Sequence, residues 1–210
     1  MKQIITAILA ISIIGLAACN NSANQTSEKK DTTSTGPMAM DTGKTSAGEA
    51  VNAPMTTPSF KNVSTDVSKH ITEVMSHYFH IKHALTKDDA AEAKNGATMM
   101  LHVISGFDNS LLPSDQKAEY SKHMEAIKQH ADAIVKSADV NAERMHFAEL
   151  SSHTYDLAKA FGAGKKVYYD HCPMALNGKG ANWLNDVATI QNPYMGTKMP
   201  ECGSVEQVIE

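Results

Sequence analysis

Two cysteines near the C-terminus each stand beside a methionine, in His171-Cys172-Pro173-Met174 and in Met199-Pro200-Glu201-Cys202-Gly203. Thiolate and thioether are soft ligands, so the two segments suit Cu(I) or Ag(I) rather than Mg or Ca, and His171 adds an imidazole. The same cysteines, 30 residues apart, could instead close a disulfide in an oxidising compartment, which would stabilise the fold by about 3 to 4 kcal/mol through loop closure. A pair that binds metal only when reduced lies between these readings. The sequence leaves all three open.

Histidine spacing is a second signal. His70 and His77, His123 and His130, and His146 and His153 form pairs seven residues apart, a separation that returns to one side of a helix. Inward-facing histidines from several helices can build a metal site, and His146 and His130 are the candidates. The competing explanation is that positions at the edge of an apolar stripe tolerate amphipathic side chains. Seven residues also exceed the i, i+3 or i, i+4 spacing with which one helix chelates alone, so a site would need a second helix or the tail. His80 and His83 fall towards the solvent side.

Other chemistry is poorly represented. The chain has no Gly-rich phosphate loop, Gly-x-Ser-x-Gly, His-Glu-x-x-His or Cys-x-x-Cys, and the acidic residues fall mostly on polar faces, so no enzyme is expected. A net charge of −4 lacks the cationic surplus that nucleic-acid binding requires. With 210 residues, 42% hydrophobic and 20% charged, the composition is that of an ordinary soluble chain, although 12 Met and 10 His are conspicuous. Only the N-terminus carries a long apolar run, which excludes a polytopic membrane protein.

That N-terminal run reads as an export signal over residues 1–18, with Lys2 before an apolar stretch from Ile4 to Leu16. Leu16-Ala17-Ala18-Cys19 resembles a lipobox, which makes Cys19 the acylated first residue of a lipoprotein. Asn20 follows where an Asp would favour inner-membrane retention, and the resemblance to sorted lipoproteins implies the outer membrane. Residues 19–62 are rich in Ser, Thr, Asn, Gly, Ala and Pro without apolar periodicity, and read as a flexible tether. Met38, Met40 and Met55 lie in it.

From residue 63 to 210 the chain must form the domain that positions these groups. Val67, Ile71, Val74, Tyr78, Ile81 and Leu85 step by threes and fours as a first helix. Thr86 and Asp89 resemble a capping pair for a second, marked by Ala93, Ala97, Met100, Ile104 and Phe107. Ser114 caps a third, carrying Tyr120, Met124, Ile127, Ala131, Ile134 and Val135; Asp139 or Asn141 opens a fourth, with Phe147, Leu150, Leu157 and Phe161, stopped at Gly162 and Gly164. The expected fold is all-α, an antiparallel up-down-up-down four-helix bundle. A loop-rich tail from about 165 to 210 packs on it, with strand character at Val167-Tyr168-Tyr169.

Helix four and the tail together carry a family resemblance. Arg144-Met145-His146-Phe147, His171-Cys172-Pro173-Met174-Ala175, Ala181-Asn182-Trp183-Leu184, Asn192-Pro193-Tyr194 and Cys202-Gly203 are similar to a bacterial envelope domain family of unknown function. That family occurs as stand-alone proteins and appended to CusB-type periplasmic adaptor subunits of copper and silver efflux pumps. Met145 stands where the family has Glu, Met195 where it has Phe and Pro200 where it has Leu; the first two departures each add a thioether.

The resemblance implies heavy-metal handling, chiefly of copper. The expectation is a non-enzymatic lipoprotein, anchored at Cys19 and facing the periplasm, that binds Cu(I) through Cys172, Cys202, Met174 and Met199, with His171, His146 and His130 as further ligands. It would buffer the ion or pass it to an efflux adaptor or another envelope protein. The alternative is an interaction module, clamped by a Cys172–Cys202 disulfide, that docks a pump.

Overall fold

The computed structural model describes residues 52–210. The expected signal, Cys19, Met38, Met40 and the expected tether up to residue 51 lie outside the described residues. Four long helices follow one another: α1 (Thr65–Thr86), α2 (Ala90–Ser105), α3 (Ser114–Lys136) and α4 (Val140–Phe161). Each packs on the next, and α1 also touches α4. No helix among the described residues is long and apolar enough to cross a membrane.

The expected helix boundaries follow from local chemistry. Asp89 accepts from the Glu92 amide at the start of α2, and Asp139 accepts from the amides of Asn141 and Ala142 at the start of α4. Ser64 caps α1 through the Val67 amide. The expected cap of α3 is one residue late, because Pro113 holds the N-cap position and Ser114 is already helical. The stripe from Val67 to Leu85 is entirely buried, as are Ala93, Ala97, Met100, Ile127, Phe147 and Leu157. Burying each larger apolar side chain of this set contributes about 1.5 to 3 kcal/mol. Gly96 lets α2 close on α1, since a Cβ there would lie 3.0 Å from Ile81 Cγ1 and 3.1 Å from its amide nitrogen.

The tail corrects the all-α expectation. Instead of mostly loop it supplies β2 (Val167–Cys172), β3 (Ala181–Asn185) and β4 (Ser204–Ile209), and β1 (Met55–Thr56) joins them from the other end of the domain. The sheet order is β1-β4-β2-β3, with β1 parallel to β4 and the other pairs antiparallel. These pairings join residues far apart in sequence, and turn-rich composition between short strands concealed them.

The same pairing moves the edge of the tether. The amides of Val208 and Glu210 donate to the carbonyls of Pro54 and Thr56, Ser59 and Phe60 bond back to Lys159 and Ala160, and Phe60 packs on Phe161 at a ring separation of 5.0 Å. Residues 54–60 therefore belong to the domain rather than to a flexible lead-in ending at Asn62.

Two buried cations seat the tail on the helices. Lys82 of α1 has no exposed surface and donates to Asn185 Oδ1 (2.8 Å), Asp186 Oδ1 (3.0 Å) and Gln191 Oε1 (2.7 Å). Burial pushes its ammonium down to about 8 against the pull of Asp186. Arg144 of α4 donates to the carbonyls of Pro193 (2.7 Å) and Leu85 (2.9 Å) and pairs with Asp88, whose other oxygen accepts from the Thr197 amide and hydroxyl. The Arg144 and Thr197 hydrogen bonds hold the Asp88 carboxyl at about 2.

Lys82→Ala would leave Asn185 Oδ1 and Gln191 Oε1 without the ammonium that donates to them and strip Asp186 of one of its three cationic partners, His83 and Lys165 remaining. It should lower the free energy of unfolding by about 2 to 3 kcal/mol, read from urea unfolding curves.

Glu143 presents the opposite problem. Both carboxylate oxygens are buried without a hydrogen-bond partner, Lys94 Nζ stands 3.9 Å away, and burial raises the acid to about 7. A carboxyl with a raised folded pKa leaves stability intact below its unfolded value, and that stability is lost as pH rises through about 7. Glu143→Gln should therefore stabilise the domain at pH 8 by about 1 to 2 kcal/mol, with the gain fading towards pH 4.5, when paired denaturation curves are compared across this range.

Candidate thiol and metal-ligand sites

Sheet register brings the two cysteines together. Cys172 ends β2 and pairs with Ala181, while His171 pairs with Ser204 at the start of β4. Running β2 antiparallel to β4 sets the end of one strand beside the lead-in to the other, and the Sγ atoms of Cys172 and Cys202 lie 2.9 Å apart. Cys172 is fully buried and Cys202 partly so. Burial and the neighbouring Cys172 push the Cys202 thiol up to about 11, so it is protonated at neutral pH.

The motif residues around the thiols act as scaffold. Gly203 has φ +141°, and a Cβ there would lie 2.7 Å from the His171 carbonyl oxygen and 3.0 Å from the Trp183 ring. Only glycine allows the close approach that follows Cys202. Buried Asn192 donates to the Cys202 carbonyl (2.6 Å) and accepts from the amides of Tyr194 (2.8 Å) and Met195 (3.0 Å). Tyr194 donates to the Asn182 carbonyl (2.6 Å) and packs edge-on against Trp183. Asn-Pro-Tyr thus holds the loop that carries Cys202.

The remaining sequence-derived ligands disperse. His171 and Cys172 are consecutive on a strand and point to opposite faces; His171 stays half-buried with Nδ1 3.9 Å from Glu206. Met199 lies in the turn before Cys202, whose amide donates to the Met199 carbonyl at 3.2 Å, and its side chain is exposed. Met174 lines a groove of about 580 Å³ with Met145, Met195 and Tyr194, and neither cysteine lines it. Met75, Met100 and Met124 are core residues.

His130 of α3 and His146 of α4 do face each other, with ring centroids 5.8 Å apart, and His130 Nδ1 is buried without a partner. Burial holds His130 below its usual value. A heptad away, His123 faces His153 with Nδ1 atoms 3.3 Å apart. The seven-residue pairs are therefore matched between helices. His70 departs from this pattern, because it stacks on Phe107 and bonds to Tyr120 at 2.8 Å, where burial lowers it to about 4. Among the described residues, no three of His, Cys, Asp and Glu already form a group that could hold a metal ion.

The polar residues that sequence reasoning missed are Lys82, Asp170 and Asn185, all without exposed surface. Asn185 donates to Asp170 at 3.0 Å, and burial raises the Asp170 carboxyl to about 7. A lysine inside an otherwise apolar helical face was the signal available for the first.

The described chain is a mostly helical domain of four long helices with a small sheet in its C-terminal region. A family model described as a protein of unknown function (DUF3347) matches residues 74–166, from within α1 to the residue before β2. Both cysteines lie beyond that match. No curated protein and no solved structure matches the chain.

With its thiol pushed up to about 11, Cys202 of the reduced, folded protein should react with iodoacetamide at pH 7.5 roughly 100-fold more slowly than a free cysteine of ordinary pKa. Peptide mass spectrometry should show ordinary reactivity restored in denaturant.

Proposed function

We propose that this chain is a non-enzymatic protein of the bacterial envelope that binds a soft monovalent metal, copper first, through the reduced Cys172–Cys202 pair. The observation that carries the reading is the contact of the two sulfurs at 2.9 Å; Met199, exposed in the turn three residues before Cys202, must swing inward to add its thioether. Two thiolates and a thioether are the donor set that Cu(I) and Ag(I) prefer. The sulfurs must separate to admit an ion, and a thiol held near 11 must give up its proton, so binding strengthens with rising pH.

In this reading Cys19 is acylated and tethers the domain to the outer membrane, facing the periplasm. The domain buffers the ion or passes it to an efflux adaptor or another envelope protein. Short links between consecutive helices and the contact of α1 with α4 support an antiparallel up-down-up-down bundle beneath the sheet. That arrangement leaves the thiols on the sheet, apart from the α3–α4 seam that holds His130 and His146.

The same contact favours one other reading, a disulfide that clamps β2 to the lead-in of β4 and leaves the surface to dock a partner. An anaerobic titration of the reduced chain with Cu(I) against a chromogenic chelator separates them. One equivalent held by the reduced protein and lost in Cys172→Ser supports the metal site. No competition with the chelator after full reduction, together with no free thiols as isolated and a loss of about 3 kcal/mol of stability in Cys172→Ser, overturns it in favour of the clamp.

A further inference from the structure

We infer that His123, His153 and Asp156 form a binding site for a borderline divalent cation, Zn(II) or Cu(II), on the seam between α3 and α4. It is distinct from the thiol pair. Its first support is a distance. The Nδ1 atoms of His123 and His153 face each other at 3.3 Å, and two nitrogens on a tetrahedral zinc with bonds of about 2.0 to 2.1 Å are separated by about 3.3 to 3.4 Å. The helices already hold the two imidazoles at the edge length of that coordination shell.

The second support is the far side of the His123 ring. Its Nε2 lies 3.0 Å from Glu119 Oε1, one turn earlier on α3. A carboxylate accepting Nε2–H fixes the tautomer in which Nδ1 carries the lone pair, the arrangement that orients metal-bound histidines. His123 is almost fully buried, so the ring is also held by packing. Without metal, the His153 Nδ1–H donates to that lone pair. When the ion binds, this proton moves to His153 Nε2 and both Nδ1 lone pairs face the cation, with no net change in protons.

The third support is a nearby carboxylate. Asp156 follows His153 by three residues on α4, the spacing that lets one helix chelate, and its Oδ2 lies 3.8 Å from His123 Nδ1. This side chain is partly exposed and must rotate to complete the set, consistent with the lack of any finished three-ligand group among the described residues. Water fills the remaining position.

Glu119, His123 and Asp156 also line an open cavity of about 470 Å³, which provides the route in. Asp115, Glu119 and Asp156 outnumber Lys122 and Lys159 around it. The balance of charge there favours a cation. Two imidazoles and one carboxylate select borderline divalent ions over Mg or Ca, whose preferred ligands are all oxygens.

The test titrates the tag-free full chain with Zn(II) by competition dialysis and with Co(II) by absorption. One equivalent is expected, with tetrahedral Co(II) bands and no thiolate-to-metal charge-transfer band, which separates this site from the cysteines. His153→Ala should weaken Zn(II) binding at least tenfold and Asp156→Asn several-fold, while both variants keep the helical circular dichroism of the parent. Failure of the unaltered chain to bind Zn(II), a thiolate band in the Co(II) spectrum of its single equivalent, or undiminished binding by folded His153→Ala would each overturn the assignment.

Discussion

A lysine ammonium buried in a helical core sets the terms for the rest of this domain. Lys82 lies on α1 among apolar neighbours, where an unpaired charge would cost several kcal/mol. Its compensation comes entirely from the tail, through Asn185, Asp186 and Gln191. Burial works against the Asp186 carboxyl as well, yet the charges of Lys82 and His83 bring it down to about 2. The end of β3 and the loop after it must therefore sit over α1 before the core is electrostatically complete. Tyr78, one turn earlier, bonds to Ser151 of α4 and accepts from the Leu184 amide of β3, so the same face of α1 ties helices and sheet together.

Once β3 is fixed, the thiol pair follows from geometry. β2 pairs with β3 on one side and β4 on the other, and a register shift between Tyr169 and Asp170 re-aims the strand before it reaches Cys172. The Arg144–Asp88–Thr197 cluster and the Asn192 side chain hold the long loop that returns to Cys202. The tail obtains one conformation from its paired strands and from anchoring their connecting loops to buried charges. The sulfurs meet because strand register and these loop anchors set Cys202 beside the end of β2.

The histidines depend on another constraint. Two helices crossing along their length bring every seventh residue of one opposite every seventh residue of the other, so two pairs with that spacing become matched partners. His123 with His153 and His130 with His146 occupy one seam. The thiols and the imidazoles thus form separate groups of different chemical softness, one in the sheet and one between helices. Among the described methionines, Met75, Met100 and Met124 lie in the packed core and Met145, Met174 and Met195 line an exposed groove.

The sequence by itself determined the four helices, two of their caps and most of the core. Apolar residues three and four apart, Asp at the N-caps and Gly162 at the last stop are local signals that need no distant partner. It also singled out Cys172 and Cys202 and the histidine spacing, because residue types and intervals are properties of the chain alone. Tertiary structure decided that β1 joins β4 across the length of the domain, that Lys82 is buried, that His171 turns away from Cys172 and that His123 meets His153. Each of these depends on pairing between segments far apart in sequence, whose loop-closure entropy is offset only when many contacts form together. No local pattern encodes which segments will meet.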